Sequence, residues 1–219
     1  MLGCWAAIVL IEITTTVVDV HSSEATLHTG AFIVCSTVLL CLAWCLAYIC
    51  HGLAVVVDSF CVRMFSDPDV RRILHEWNVV TAVVHKASTG IQSGFVALQA
   101  STVLAIPALL SDFTELGVEL RTVSALLPGT IVVVCVVRLL FIAGTVTDRC
   151  RRMPALVNSL SFGRGKESAR QHIVEYMNNS ASGFYMLEVR ISSGGALILL
   201  YVWIAVTCLI LTLPHARVL

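Results

Sequence analysis

Four charged side chains interrupt long apolar stretches of this sequence and are its first candidates for chemistry: Glu12, Asp58, Lys86 and Arg138. A charge among apolar helices is expensive, so it usually faces a bundle interior or a wet cavity. We expect pairing with opposite charges: Asp58 and Lys86 lie towards the same ends of neighbouring predicted helices. Arg138 can meet Glu12 or Asp58, or extend its head group to the nearer surface. Contact with a ligand is the alternative for each residue.

Patterns for catalysis and metal binding are missing from the sequence. The residues at 163–166 suggest a phosphate-binding loop, but Leu160 stands where that loop needs glycine, and Glu167 where it needs serine or threonine. The histidines are scattered, with no His-x-x-x-His or Cys-x-x-Cys spacing, so we expect no metal and no cofactor. We also expect no enzyme, since a Gly-x-Ser-x-Gly turn is missing. An intramembrane enzyme using Glu12, His51 and Asp58 is the alternative.

The composition is typical of a membrane protein. Of the 219 residues, 58% are hydrophobic and 13% are charged, whereas soluble domains have about 45–50% and 25%. The net charge is zero and no basic cluster is interleaved with aromatic residues, so we expect no nucleic-acid partner. Most of the nine cysteines lie in or beside apolar runs, which indicates buried small side chains rather than a disulfide framework.

The apolar runs predict an all-α fold, a polytopic membrane helical bundle in one domain. Crossing a ~30 Å bilayer core takes about 20 residues of helix. The predicted spans are 2–20, 30–65, 70–110, 123–146 and 194–213, with a cytoplasmic helical region over 149–193. The second and third spans exceed the core thickness, so we expect these long helices to project into the cytoplasm. A signal peptide is the alternative for the first run, although it lacks a basic start.

Loops and breaks are expected at four places. The sequence at 21–30 and at 111–122 is polar, and we expect a loop at each. Pro128 should interrupt the fourth span. Pro68 marks a turn between the second and third spans, and either Asp67 or Asp69 can cap the helix that follows.

Apolar residues on both sides of that turn have the spacing of a packed seam. Before the turn the spacing is four, three and four residues, and after it three, four, three and four. The seam residues are Leu53, Val57, Phe60 and Met64, followed by Val70, Ile73, Trp77, Val80 and Val84. We therefore expect an antiparallel helical hairpin outside the membrane. Two ordinary spans with irregular ends are the alternative.

The distribution of Lys and Arg sets the predicted orientation. One face collects Arg63, Arg71, Arg72, Arg149, Arg151, Arg152, Arg164, Lys166, Arg170 and Arg190, and the other only Arg121 and Arg217. The face with ten basic residues should be cytoplasmic. Five spans then put the N-terminus inside and the C-terminus outside. The Asn-x-Ser pattern at Asn178 would lie in the cytoplasm and stay unmodified.

The end of the chain combines a charged segment, a flexible break and an apolar run. The segment 183–188, Gly-Phe-Tyr-Met-Leu-Glu, precedes two serines and two glycines, and 194–213 then has no charged residue. We expect an amphipathic approach helix, a glycine break and a membrane span.

This end resembles the C-terminal signature of the insect gustatory and odorant receptor superfamily. Gustatory members carry Gly-Phe-Phe-x-Leu-Asp, then a last helix with Thr-Tyr, five apolar residues and Gln-Phe. The matching residues here are Gly183, Phe184, Tyr185, Leu187 and Glu188, then Tyr201. Leu200 stands where threonine is usual, and Thr207 and Cys208 replace Gln-Phe.

The resemblance implies a ligand-gated cation channel in the plasma membrane, surrounded by lipid. It also implies a homo- or heterotetramer, a small-molecule ligand bound in the outer half of the helices, and a pore lined by the last helix. Thr207 stands where gustatory members place glutamine and is our first pore-lining candidate, with Tyr201 as another. Val206 and Ile210 are candidate apolar gate partners. The chain would correspond to the family's third helix onward. A secondary-transporter fragment and a membrane scaffold without transport are the alternatives; a transporter would usually show an internal repeat.

Overall fold

The computed structural model describes residues 23–66, 69–116, 120–160, 167–180 and 182–212. Side chains are described for 34–66, 69–104, 106, 130–160, 167–180 and 182–209. These ranges contain five helices and one pair of short strands. In chain order they are α1 (Ser23–Ser66), α2 (Val70–Leu116), α3 (Leu120–Ser159), α4 (Glu167–Asn179), β1 (Tyr185–Met186), β2 (Val189–Arg190) and α5 (Ser193–Thr212). The all-α prediction is confirmed apart from the strand pair.

Two of the described helices are long and apolar enough to cross a membrane. These candidate spans are Val34–Ser66 in α1 and Thr130–Ser159 in α3. A shorter apolar run, Ser193–Leu209, lies in α5. The predicted stretch 70–110 is helical throughout, and its crossing of the membrane stays a prediction. The predicted span 2–20 lies outside the described residues.

At three places the described residues are helical where a loop or a break was expected from the sequence. α1 begins at Ser23 rather than Gly30, because no proline or glycine interrupts the helix-compatible residues between them. α2 continues to Leu116, so most of the predicted loop over 111–122 is helical. α3 runs unbroken through Pro128. A proline removes one backbone hydrogen bond from a helix, and this loss does not end α3.

The predicted cap of α2 is confirmed at Asp69. The backbone N–H of Arg72 donates to Asp69 Oδ2 over 3.4 Å, and the N–H of Ile73 donates to the Asp69 carbonyl over 2.9 Å. A side-chain oxygen that accepts from the third helical N–H satisfies a donor that the helix itself leaves free. Asp67, the other candidate cap, lies outside the described residues.

The chain divides into two compact units, which are considered separately. One comprises Cys45–Val96 and Leu139–Leu199, and the other falls within Met1–Trp44, Ala97–Arg138 and Leu200–Leu219. We name the first the motif unit, because it contains the segment 183–188, and the second the distal unit. In the distal unit the described buried residues include Leu40, Leu98, Val136 and Trp203.

The predicted seam forms part of the core of the motif unit. All of its residues are buried except Val70, which is half-buried. The rings of Phe60 and Trp77 lie 5.6 Å apart with a 44° tilt, within the range favourable for aromatic pairs. The packing of the two seams against each other is therefore confirmed, and its free energy comes mainly from the apolar area that these side chains remove from water. The position of this helical hairpin outside the membrane stays a prediction.

Candidate functional site

Residues 185–190 form a β-hairpin that begins within the segment 183–188, so the predicted approach helix is wrong. Tyr185 pairs with Arg190 and Met186 with Val189 in antiparallel register. The two residues between them, Leu187 and Glu188, have φ angles of 50° and 64°. Two consecutive left-handed residues match the twist of a two-residue hairpin turn, although asparagine and glycine are the residues that usually fill it.

Phe184 anchors this hairpin inside the motif unit. Its side chain is fully buried, and its ring lies 5.6 Å from the ring of Phe95 on α2. Its backbone N–H donates to Thr147 Oγ1 on α3 over 2.9 Å. Its carbonyl accepts from the N–H of Ile191 over 2.9 Å, which closes the hairpin. These tertiary contacts select the hairpin in place of a helix.

Gly183 is required where the hairpin crosses α3. A Cβ atom there would lie 2.9 Å from Cδ of Arg190 and 3.0 Å from both Cγ2 and Oγ1 of Thr147. Since Thr147 also binds the neighbouring Phe184, it is not free to move away. Glycine is therefore required at the first position of the segment 183–188, because any side chain there would clash with Thr147 and Arg190.

The hairpin leads directly into α5 through a doubly held helix start. The Ser192 hydroxyl accepts from the N–H of Gly195 over 3.1 Å, as an N-cap does. Asp148 on α3 accepts from the N–H of Ser193 over 3.3 Å. Gly144, one turn earlier on α3, leaves room for this junction. The carboxylate is also favourably placed at the positive end of the α5 dipole.

A chain of hydrogen-bonded side chains links α2 to the segment before the hairpin. Trp77 Nε1 donates to Ser180 Oγ over 2.9 Å, Ser180 Oγ lies 3.1 Å from Ser182 Oγ, and Ser182 Oγ lies 2.7 Å from Thr81 Oγ1. Nothing in the sequence alone points to Ser180, Ser182 and Thr81 as partners. These hydrogen bonds are hard to predict, because the partners are separated by about a hundred residues and serine is not restricted to a regular spacing in helices or strands.

Among the described residues, the candidate intramembrane charge Asp58 forms no salt bridge with Lys86 or Arg138. Asp58 forms an ion pair with Arg149, which also donates to the Ala54 carbonyl over 3.4 Å. The predicted partners of Asp58 are therefore wrong: Arg149 is nearer than Lys86 or Arg138. Both of those side chains are exposed, and neither forms a salt bridge with a described carboxylate. Glu12 lies outside the described residues.

A second ionic cluster closes the tip of the helical hairpin. Glu76 accepts from Arg63 and from Arg72, each over 2.9 Å. The hydrogen bond from Arg72, then that from Arg63, holds the pKa of the Glu76 carboxyl below its usual range. The cluster joins α1 to α2 next to the turn.

The pore-lining candidates lie on different sides of α5. Tyr201 is 69% exposed, whereas Thr207 is 8% exposed and lies beside Trp203 on the buried side. Val206 is half-buried, and the side chain of Ile210 lies outside the described residues. The exposed face of α5 thus contains Tyr201.

One buried amide in the distal unit has both of its polar atoms unpaired. The Nε2 and Oε1 atoms of Gln99 on α2 have no hydrogen-bond partner. Buried polar groups are normally satisfied, so an orphaned amide is a candidate contact for a ligand or water. Among the described residues, no three His, Cys, Asp or Glu side chains group as metal ligands would.

No protein-family model, curated protein or solved structure matches this chain.

Proposed function

We propose that the chain is a subunit of a ligand-gated cation channel of the gustatory and odorant receptor-like class. The observation that carries the proposal is the connection from the motif to α5. Phe184 is buried against α2 and α3, and the peptide chain then enters α5 through the junction of Ser192, Asp148 and Ser193. A displacement of the packed helices is thereby transmitted to the start of α5.

The proposed membrane orientation rests on where the arginines lie. The described arginines of the motif unit are Arg63, Arg71, Arg72, Arg149, Arg151, Arg152, Arg170 and Arg190. A face rich in arginine remains on the cytoplasmic side during insertion. We infer that the motif unit lies at the cytoplasmic face of the plasma membrane, with the N-terminus in the cytoplasm. Helices α1 and α3, which contain the candidate spans, would cross the bilayer.

We place the proposed ligand site at Gln99 in the distal unit, and expect it in the outer half of the helices. Its unpaired amide can both donate and accept hydrogen bonds, which suits a small polar molecule. A ligand shifts a closed–open equilibrium only if it binds the open state more tightly. We infer that occupancy at Gln99 displaces α2, whose contact between Phe95 and Phe184 carries the change to the hairpin.

The pore would be lined by α5 from each of four subunits. The face carrying Tyr201 and Cys208 is exposed in the single chain, and the face carrying Thr207 is buried. The packing of the four copies would decide whether the face with Tyr201 or the face with Thr207 lines the pore. A narrow apolar ring in such a pore closes it by dewetting, and polar groups at the constriction select the ion.

A cysteine scan of 200–211 during current recording tests the channel and identifies its lining. Cys208 is first replaced by serine, and a water-soluble thiol reagent is applied to each variant. Block at positions three or four apart that include 201 or 207 supports the channel and names the lining face. Variants of 202 and 209, also exposed on α5, are matched controls for access from lipid or solvent.

Other outcomes separate the alternatives. Saturable electrogenic uptake without single-channel steps would indicate a secondary transporter. Absence of both currents and uptake, with correctly inserted protein, would leave a scaffold and refute the channel.

A further inference from the structure

A cavity of about 230 Å³ opens in the motif unit beside the hairpin. Its buried wall is formed by Trp77, Cys150 and Met177, and its exposed rim by Arg151, Asn178 and Arg190. These residues come from α2, α3, α4 and β2. Drug-sized ligands occupy cavities of about 300–1,000 Å³, so this one suits a small group. We refer to it as the arginine cavity.

The lining of the arginine cavity carries two guanidinium groups and no carboxylate. Arg151 and Arg190 form no salt bridge with any described Asp or Glu, whereas Arg63, Arg72, Arg149 and Arg170 each do. The acidic residue nearest in sequence to Arg151 is Asp148, and its carboxylate is engaged by the N–H of Ser193. No described carboxylate therefore forms a salt bridge with either guanidinium of the cavity.

The donor groups at the rim match a tetrahedral oxyanion. A guanidinium donates two parallel hydrogen bonds to a phosphate and stays charged at every physiological pH. The Asn178 amide adds a neutral donor at the same opening. Trp77 is only 1% exposed, so its ring closes the inner end and limits the depth available. This combination favours a compact phosphate group over a larger ligand.

Because Arg190 belongs to both the cavity and the β-hairpin, an anion bound in the cavity would also contact the hairpin. Arg190 lies on β2 opposite Tyr185, and its stem packs over Gly183. Arg151 lies on α3, so an anion held by both guanidiniums would tie the hairpin to α3.

We propose that the arginine cavity binds a phosphate monoester, with the head group of an anionic membrane lipid as its source. Basic pockets at the cytoplasmic ends of membrane helices commonly hold such head groups. The lipid source depends on the membrane placement proposed above, but it does not depend on channel activity. Free phosphate has the same chemistry and is the other source that a test has to separate.

The test uses the full chain purified in detergent and two soluble probes. One is a short-chain phosphatidylinositol 4-phosphate and the other is inorganic phosphate, with binding measured by equilibrium dialysis. We expect saturable binding of the lipid probe, weakened about tenfold or more by Arg151→Gln or Arg190→Gln, because each removes a charge-assisted hydrogen-bonding group. Arg152→Gln is the matched control: it lies on the same helix, is exposed and does not line the cavity.

Each outcome has a distinct meaning. Equal binding of both probes with the same dependence on Arg151 and Arg190 assigns the cavity to free phosphate and overturns the lipid source. No saturable binding to the wild-type protein, or equal weakening by Arg152→Gln, overturns the cavity as a site. The melting temperature of each variant without probe is compared with wild type. If Arg190→Gln unfolds the hairpin, Arg151→Gln on α3 still decides the question.

Discussion

Replacing Gly144 by alanine should destabilise the protein, although alanine is the better helix former. An ideal Cβ at this position would lie 2.7 Å from the nitrogen of Ser193, 2.9 Å from the carbonyl carbon of Ser192 and 3.0 Å from Cα of Ser193. Favourable separations between such atoms are about 3.5–4.0 Å. All three atoms are backbone, so relief requires the start of α5 to move away from α3.

The size of the effect follows from three contributions. Forcing an extra methyl group into a packed junction costs about 1–3 kcal/mol. Movement of α5 also breaks the bond from the Ser193 N–H to Asp148, already 3.3 Å long, which removes about 1.5 kcal/mol because the acceptor is charged. Better helix propensity returns about 1 kcal/mol. We expect Gly144→Ala to lower the free energy of unfolding by about 1.5–3.5 kcal/mol in total.

Two other helical glycines provide matched controls, for which replacement by alanine should raise the free energy of unfolding. A Cβ at Gly52 or Gly90 would meet no atom within 4 Å. Gly52→Ala and Gly90→Ala should therefore stabilise the protein by about 0.5–1 kcal/mol each. Thermal unfolding of detergent-purified variants, followed by circular dichroism, ranks the three. A Gly144→Ala protein as stable as the controls would refute the close junction between α3 and α5.

Three further predictions concern the motif unit. Trp77→Ala should cost about 3–5 kcal/mol by leaving a core cavity, whereas Trp77→Phe should cost about 1 kcal/mol by removing the bond to Ser180; both are measured by thermal unfolding. Replacing Leu187 by asparagine and Glu188 by glycine should stabilise the hairpin by about 1–2 kcal/mol, because both positions are left-handed. Glu76→Gln should make the free energy of unfolding less dependent on pH in the acid range. The pKa of Glu76 in the folded protein lies below its ordinary value of 4.5. The charged carboxylate therefore stabilises the fold above pH 4.5, and this contribution is lost as the pH falls through the folded pKa.

Different results would contradict each of these predictions. Wild-type stability of Trp77→Ala would mean that the indole is not in the core. A less stable turn variant would mean that the side chains of Leu187 and Glu188 contribute more than their backbone strain costs. If Glu76→Gln loses stability at low pH to the same extent as the wild type, Glu76 does not contribute to the pH dependence of stability.

The helices and the seam could be predicted from sequence because their signals are local. Val57, Phe60 and Met64 repeat at helical spacing, and Asp69 stands at a cap position whatever the rest of the chain does. The same holds for the apolar runs in α1, α3 and α5. The ends of α1 and α2 were harder to place, because polar residues at 23–29 and 111–116 extend a helix as readily as they form a loop.

The motif segment and the cavity could not be predicted, because their determinants are distant in sequence. The hairpin depends on Thr147 and Phe95, which bind Phe184 from two other helices. No asparagine or glycine marks its turn, so the usual signal is missing. The partner of Asp58 could not be predicted for the same reason: Arg149 is ninety-one residues away.

The junction between α3 and α5 also fixes how the two helices can move. Gly144 sets the distance between them, and Asp148, one turn further on the same face, sets the height at which Ser193 is held. Because the separation of the two helices and the position of Ser193 along α3 are both fixed, the first turn of α5 can neither slide along α3 nor rotate about its own axis without breaking the hydrogen bond from Ser193 to Asp148. The beginning of α5 therefore moves with α3 as one body, and any bending of α5 has to occur beyond its first turn.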